Sequence, residues 1–127
     1  MKKILCAGLS VFILAAIAVS VSFAGGHKVI DGKDLEVMMK NGKSIMLVDV
    51  REPELYSAGH IKGAINIPYD TAKGRILKEL STNDRIVFVC HGGPMGDELS
   101  EILMKNGYKD VSNLKGGMKK WNGEVVK

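Results

Sequence analysis

Cysteine is nearly absent from this chain: Cys6 and Cys90 are the only two in 127 residues. Cys6 falls in an N-terminal segment read below as a leader. What remains has no cysteine pair and therefore no internal disulfide, so its stability has to come from a packed core. Three scattered histidines beside a single cysteine give no zinc-ligand spacing. No Lys/Arg stripe with interleaved aromatics occurs, which argues against nucleic acid as a partner. Lys2 and Lys3 supply two units of the formal net charge of +4, so the rest of the chain is only modestly basic. Internal repeats, long linkers and low-complexity tracts are also missing, and one domain is the economical organisation.

The start of the chain has the form of a targeting segment. Met1-Lys2-Lys3 is basic, Ile4 to Phe23 is almost wholly apolar or small, and Ser22-Phe23-Ala24 puts small residues at both positions that a signal peptidase reads. Residues 1–24 are expected to be a signal peptide, with residues 25–127 as the folded domain. The expected location is a bacterial periplasm, with secretion or an uncleaved N-terminal anchor as alternatives; after cleavage no stable membrane anchor is expected. Cys6 lies too near the start to be a lipid-attachment cysteine. Cleavage after Ala24 would expose Gly25-Gly26-His27. A free amine, two deprotonated amides and the His27 imidazole can make a four-nitrogen square plane for Cu(II) or Ni(II). A flexible polar leader is the plainer alternative. No metal is expected within the domain, and no cofactor.

Along residues 25–127, apolar runs alternate with helical periodicities. KDLEVMMKNG carries Leu35, Met38 and Met39 on one helical face and ends at Gly42. SIMLVDV is a short continuous apolar run, as in a strand buried on both faces. REPELYSAGH is a short helix opened by Pro53 and closed around Gly59. GAINIP is a brief strand halted by Pro68. DTAKGRILKEL is a helix with Ile76, Leu77 and Leu80 inward, and DRIVFVC is a second buried strand. The spacing then predicts a helix from Asp97 with Leu99, Ile102 and Leu103 inward, a last strand in DVSNL, and a final helix after GGMKKW with Trp121 against the core. Strands separated by helices argue for a parallel sheet with helices on both faces.

Cys90 ends the second buried strand, and HGGPMG follows it. In open α/β sheets, ligands bind beyond the carboxyl ends of the strands. Three glycines in six residues permit a tight loop with convergent N–H groups. With a helix N-terminus behind it, such a loop favours an anion and lowers a thiol pKa from about 8.5. The same donors would hold a persulfide sulfur. A buried, inert cysteine is the alternative. In an exported protein a lone thiol is a liability unless it is buried or used.

Two stretches carry a family resemblance. LVDVREPELYSAGHIKGAINIP (Leu47–Pro68), and VFVCHGG followed by NGYKDVSNLKGGMKKW (Asn106–Trp121), together resemble the rhodanese-like (sulfurtransferase) domain across Val29–Trp121. The resemblance implies an α/β fold around a five-stranded parallel sheet. It also implies a catalytic cysteine that takes sulfane sulfur from a donor such as thiosulfate and passes it to cyanide or a thiol. Cys90 matches the persulfide-bearing residue. His91, Gly92, Gly93, Pro94, Met95 and Gly96 form the active-site loop. Asp49, Arg51 and His60 match supporting positions, and Gly116 and Gly117 match the late glycine pair.

The departures bear on substrate. Active members usually carry arginine after the cysteine and again near the loop's end; here His91 and Met95 stand there. Gly96 replaces a serine or threonine, and Asp97 adds negative charge. An anionic donor loses its bidentate clamp, and an unperturbed His91 is cationic only below about pH 6.5. Weak thiosulfate binding is therefore expected. A low-molecular-weight or protein persulfide suits the loop better, with Met95 as an apolar contact. Partners are thus a small sulfur donor and a thiol acceptor, which includes a protein thiol. A second class of function is a non-catalytic module that binds an anion or a partner, with Cys90 as a redox-sensing thiol. A phosphatase of related fold is a weaker third, because Met95 displaces the arginine its loop needs. Of the other residues, Asp49 is expected to bond loop amides, Arg51 to brace the loops or face the pocket as a cation, and His60 to be structural. A Cys90–His91 pair is the remaining catalytic possibility.

Overall fold

The structure, a computed structural model, describes residues 26–42 and 44–127. The expected signal peptide lies outside these residues. Chain order is β1 (Lys28–Ile30), α1 (Gly32–Lys40), β2 (Met46–Asp49), α2 (Pro53–Ala58), β3 (His60–Ile61), β4 (Ile65–Asn66), α3 (Tyr69–Glu79), β5 (Arg85–Val89), α4 (Pro94–Lys105), β6 (Asp110–Leu114), α5 (Gly117–Lys120) and β7 (Val125–Val126). Five strands form one sheet in the order β1-β6-β5-β2-β4, and every pairing in it is parallel. β3 and β7 make a separate antiparallel pair.

Strand alternation divides the core into two layers. Along β5, Ile86 and Phe88 point with Cys90 toward α3 and α4, where they meet Ala72, Ile76, Leu99 and Leu103. Val87 and Val89 point to the opposite face with Leu35 of α1, Leu47, Leu114, Tyr56 and Trp121. Both faces of β5 are fully buried, which is why its sequence reads as an unbroken apolar run. Burying a side chain such as Phe88 contributes about 1.5–3 kcal/mol. The expected α/β architecture, with a five-stranded parallel sheet between helical layers, is therefore present.

Local signals explain most boundaries. Asp31 caps α1 by accepting from the Asp34 N–H (2.8 Å), and Asp34 returns the bond to the Asp31 N–H (3.1 Å). Pro53 opens α2 and Pro94 opens α4, where a missing N–H costs nothing.

Several expectations need correction. The fifth sheet strand is Lys28–Ile30, too short to show a pattern; its partner β6 creates it. DVSNL is not the last strand, since β7 follows. Leu77 and Met39 point outward, at 43% and 36% exposure. In α3 the buried positions are Ala72 and Ile76, one helical repeat apart, with Leu80 buried beyond them, so Leu77 falls to the side. Ile102 is half-buried beside fully buried Leu99 and Leu103. Helix α4 begins at Pro94, three residues before Asp97, so the Cys90 loop is shorter than HGGPMG.

Candidate active site

The carboxyl ends of β2 and β5 lie side by side, with Asp49 opposite Val89 and the Val50 N–H bonded to the Val89 carbonyl at 2.9 Å. Cys90 follows immediately and is 1% exposed. Its Sγ accepts a hydrogen bond from the Gly93 N–H at 2.8 Å. Gly93 reaches this position with φ +126°, which a side chain disfavours. The turn is thus Cys90-His91-Gly92-Gly93, and Pro94, Met95 and Gly96 form the first turn of α4. This revises the expectation that amides from His91 to Gly96 all serve the sulfur: Pro94 has no N–H, and one observed donor, Gly93, touches it. Met95 and Gly96, in the first turn, have N–H groups without intrahelical partners, and these face the end of the helix where an anion is favoured.

The late glycines hold this turn from below. The Met118 N–H donates to the Cys90 carbonyl (2.8 Å) and the Lys119 N–H to the His91 carbonyl (3.1 Å). Gly117 sits at φ +54°, and a Cβ there would lie 2.2 Å from the Cys90 carbonyl oxygen. Gly117→Ala is expected to cost about 2–4 kcal/mol, from left-handed backbone plus overpacking. It should also slow Cys90 alkylation. A urea melt with a timed iodoacetamide reaction checks both, and an unchanged midpoint would mean that α5 is not seated on the loop.

The supporting residues have separate tasks. Arg51 donates from Nε to both Asp49 oxygens (3.0 and 3.1 Å) and from Nη2 to Asp49 Oδ2 (2.7 Å) and to the Gly59 carbonyl (2.8 Å). Asp49 Oδ1 also accepts the Arg51 N–H (3.0 Å). The pair is buried and ties the end of β2 to the end of α2, so the guanidinium braces these loops through Asp49. His60 stacks on Tyr56 at 3.8 Å between ring centroids, and its Nδ1 lies 2.9 Å from the Tyr56 carbonyl. His91 turns away from Cys90: its Nε2 lies 2.9 Å from Glu52 Oε2, at a half-exposed position. The structure therefore replaces the Cys90–His91 pair with a His91–Glu52 pair, because the imidazole leaves the turn on the side facing β2.

An acidic and apolar pocket lies next to the first turn of α4, reached through Met95 and not lined by Cys90 itself. Val50, Glu52, Pro53, Pro68, Tyr69, Asp70 and Met95 line its volume of about 60 Å³. Glu52's own backbone N–H, and then His91, hold its carboxyl below the usual range. Glu98 on α4 accepts from Lys73 (2.7 Å) and from the Tyr69 hydroxyl. Lys73 first and Tyr69 second lower the Glu98 carboxyl, while the same contact raises the Tyr69 hydroxyl. These carboxylates carry charge at neutral pH.

Sequence reasoning did not find Glu52, Tyr69, Asn113 or the seat of His27. The His27 ring is buried just before β1, with Nε2 2.8 Å from Asp97 Oδ1, and its Nδ1 is buried without a partner among the described residues. Gly25, the first residue of the expected copper plane, lies outside the described residues. Among those described, no group of three or more His, Cys, Asp or Glu is placed to hold a metal.

Comparison with known proteins agrees with this fold. The sequence model of the Rhodanese-like domain matches residues 31–124. Among curated relatives, the uncharacterized protein YqhL of Bacillus subtilis is 39% identical over 83 residues, covering 65% of this chain and 65% of that protein. Thiosulfate sulfurtransferase PspE of Escherichia coli is 41% identical over 73 residues, covering 57% of this chain and 69% of PspE. The chain thus spans about two thirds of these relatives. Among solved structures, a rhodanese-like domain protein from Staphylococcus aureus superposes with a TM-score of 0.71 at 33% identity, covering 78% of this chain and 96% of that one.

Proposed function

The chain belongs to the rhodanese-like domain family, and from that premise we propose that it is a sulfurtransferase that carries sulfane sulfur as a persulfide on Cys90. The observation that supports this most is the Gly93 N–H aimed at Sγ, at the end of β5 and the start of α4. An N–H donated to the sulfur steadies the thiolate that has to attack. The thiolate attacks the outer sulfur of a donor R–S–S⁻. The Cys90 S–S bond forms, the donor S–S bond breaks, and R–S⁻ leaves with the electron pair. An acceptor thiolate then attacks the terminal sulfur, takes it as its own persulfide, and returns the Cys90 thiolate. The charged terminal sulfur rests near Gly93 and the free N–H groups of Met95 and Gly96, donors already oriented before the reaction. Because Cys90 is 1% exposed, exchange requires the glycine turn to open.

The lining favours a donor of low charge. Met95 and His91 stand where two arginines would clamp thiosulfate, and Glu52 and Asp70 line the pocket beside Met95. Like charge there disfavours a dianion. A persulfide on a small thiol or on a protein is the preferred donor, and a thiol the preferred acceptor. Residues 1–24 support export, with Gly25 as the expected first residue of the mature protein; N-terminal sequencing of secreted or periplasmic material tests this.

Intact-protein mass spectrometry tests the function. Reduced protein is exposed to glutathione persulfide or to thiosulfate, then to a thiol or cyanide. The expected result is a gain of one sulfur from the persulfide, removed by the acceptor, with thiosulfate loading much more slowly. Efficient loading by thiosulfate would overturn the donor preference. No sulfur gain from either donor would overturn the transferase and leave the binding or redox-sensing module.

A further inference from the structure

Three distant parts of the chain converge on one buried amide. Asn113 in β6 is 1% exposed and points, like Val111, toward α4. Its Nδ2 donates to the Gly93 carbonyl at 2.8 Å and to Asp97 Oδ1 at 3.0 Å. Both partners are acceptors, which sets the orientation of the amide. Asp97 Oδ1 is held in turn by His27 Nε2 at 2.8 Å, and the His27 side chain is 7% exposed.

This arrangement is not one that stability alone would select. Asn113 Oδ1 is buried with no hydrogen-bond partner among the described residues, and a buried unpaired polar atom in a folded protein calls for a reason. That oxygen also occupies the space of a neighbouring side chain: a Cβ on Gly96 would lie 1.9 Å from it. Gly96 stands inside a helix, where alanine is intrinsically better. Two unfavourable choices, an unpaired buried oxygen and a helical glycine, thus make room for the bonds from Asn113 to Gly93 and Asp97. Gly93 is the residue whose N–H reaches the Cys90 sulfur. Its carbonyl is gripped by Asn113 and by the Asp97 N–H (3.1 Å), which holds the φ +126° conformation that aims the N–H.

We infer that Asn113 is a positioning residue for Cys90: it holds Gly93 so that its N–H stays on the sulfur, and Asp97 and His27 hold Asn113. The inference rests on Cys90 being the reactive group, the reading proposed above. His27 precedes the residues matched by the family model, so part of this support comes from outside the matched region.

The test reads thiol acidity, for which no sulfur donor is needed. The pH dependence of Cys90 alkylation by iodoacetamide is measured on the native protein, Asn113→Ala, Gly96→Ala, His27→Ala and the double variant Gly96→Ala/Asn113→Ala. Asn113→Ala should raise the alkylation midpoint and slow the reaction at neutral pH by about 3- to 10-fold, the effect of losing about one hydrogen bond's worth of thiolate stabilisation. Gly96→Ala should lower the melting temperature despite alanine's helix preference, because its Cβ expels Asn113. In the double variant the clash is gone and the new methyl refills space, so the melting temperature should recover. Its alkylation midpoint should remain raised, which a purely structural role would not produce. His27→Ala should shift the midpoint in the same direction by less.

A folded double variant with a native midpoint would overturn the inference and leave Asn113 as a tie between β6 and α4. An unshifted midpoint in His27→Ala would remove His27 from the network. The sulfur-transfer reading fails separately, if native protein with an acidic Cys90 takes up no sulfur.

Discussion

Cys90→Ser is expected to carry no sulfur with any donor while remaining folded. Serine is nearly isosteric, and its Oγ can accept the Gly93 N–H that Sγ accepts now. The buried hydroxyl therefore keeps a partner, and the change should cost only about 1 kcal/mol. A shift of that size moves the melting temperature of a domain this small by about 4–8 °C. The chemistry has no such tolerance. A hydroxyl stays protonated where a thiol ionises, and a persulfide needs sulfur at the attacking atom. Intact mass after persulfide treatment checks the loss, and thermal melting checks the fold. Cys90 is the only free cysteine among the described residues, so a sulfur gain in the folded variant would mean that Cys90 is not the carrier.

Asp49→Ala should have the opposite profile, a large loss of stability at a residue that does not touch the sulfur. Asp49 is 1% exposed and Arg51 7%. Removing the carboxylate takes away the guanidinium's side-chain partner among the described residues, leaving the Gly59 carbonyl. The Arg51 backbone N–H loses its acceptor too. Breaking a buried pair from one side costs about 3–5 kcal/mol, because the remaining charge is uncompensated. Domains of this kind have about 5–15 kcal/mol in all, so a fall of more than about 12 °C in melting temperature is expected. Asp49→Asn keeps an acceptor for the Arg51 N–H and should lose less. Urea melts of both variants measure this, and a loss under about 1 kcal/mol for the alanine would mean that water reaches the guanidinium. The site should follow the fold, since β2 continues directly into Val50 and Glu52 at the pocket.

The two variants separate what is legible along the chain from what is not. Cys90 stands out in sequence because an apolar run ends there and glycines follow. The Asp49–Arg51 pair spans two positions, and its family match is local as well. Helix α4 is legible, but its start is not: Pro94 is an N1 signal, and Gly96 just after it reads equally well as part of the loop. Leu77 shows a different limit. Its apolar side chain satisfies helical periodicity nearly as well as Ala72 does, and only the position of the sheet decides which of them is covered.

The contacts that shape the site cross long sequence separations. Glu52 and His91 are 39 residues apart, Gly93 and Asn113 are 20, and His27 and Asp97 are 70. None has a periodic or compositional sign, because a polar side chain's partner depends on which strands the sheet sets side by side. β1 is the extreme case: three residues become a strand because β6 offers an open edge.

The amino-acid sequence by itself therefore determined the alternation of buried strands with amphipathic helices, the parallel sheet, and a thiol at a strand's carboxyl end. Those follow from apolar periodicity and from glycine and proline, which act on near neighbours. Tertiary structure decided which N–H reaches the sulfur, that His91 answers Glu52 instead of Cys90, and that Asn113 fills the space beside Gly96. These are matters of side-chain direction and close approach, set only when distant strands and helices pack against one another.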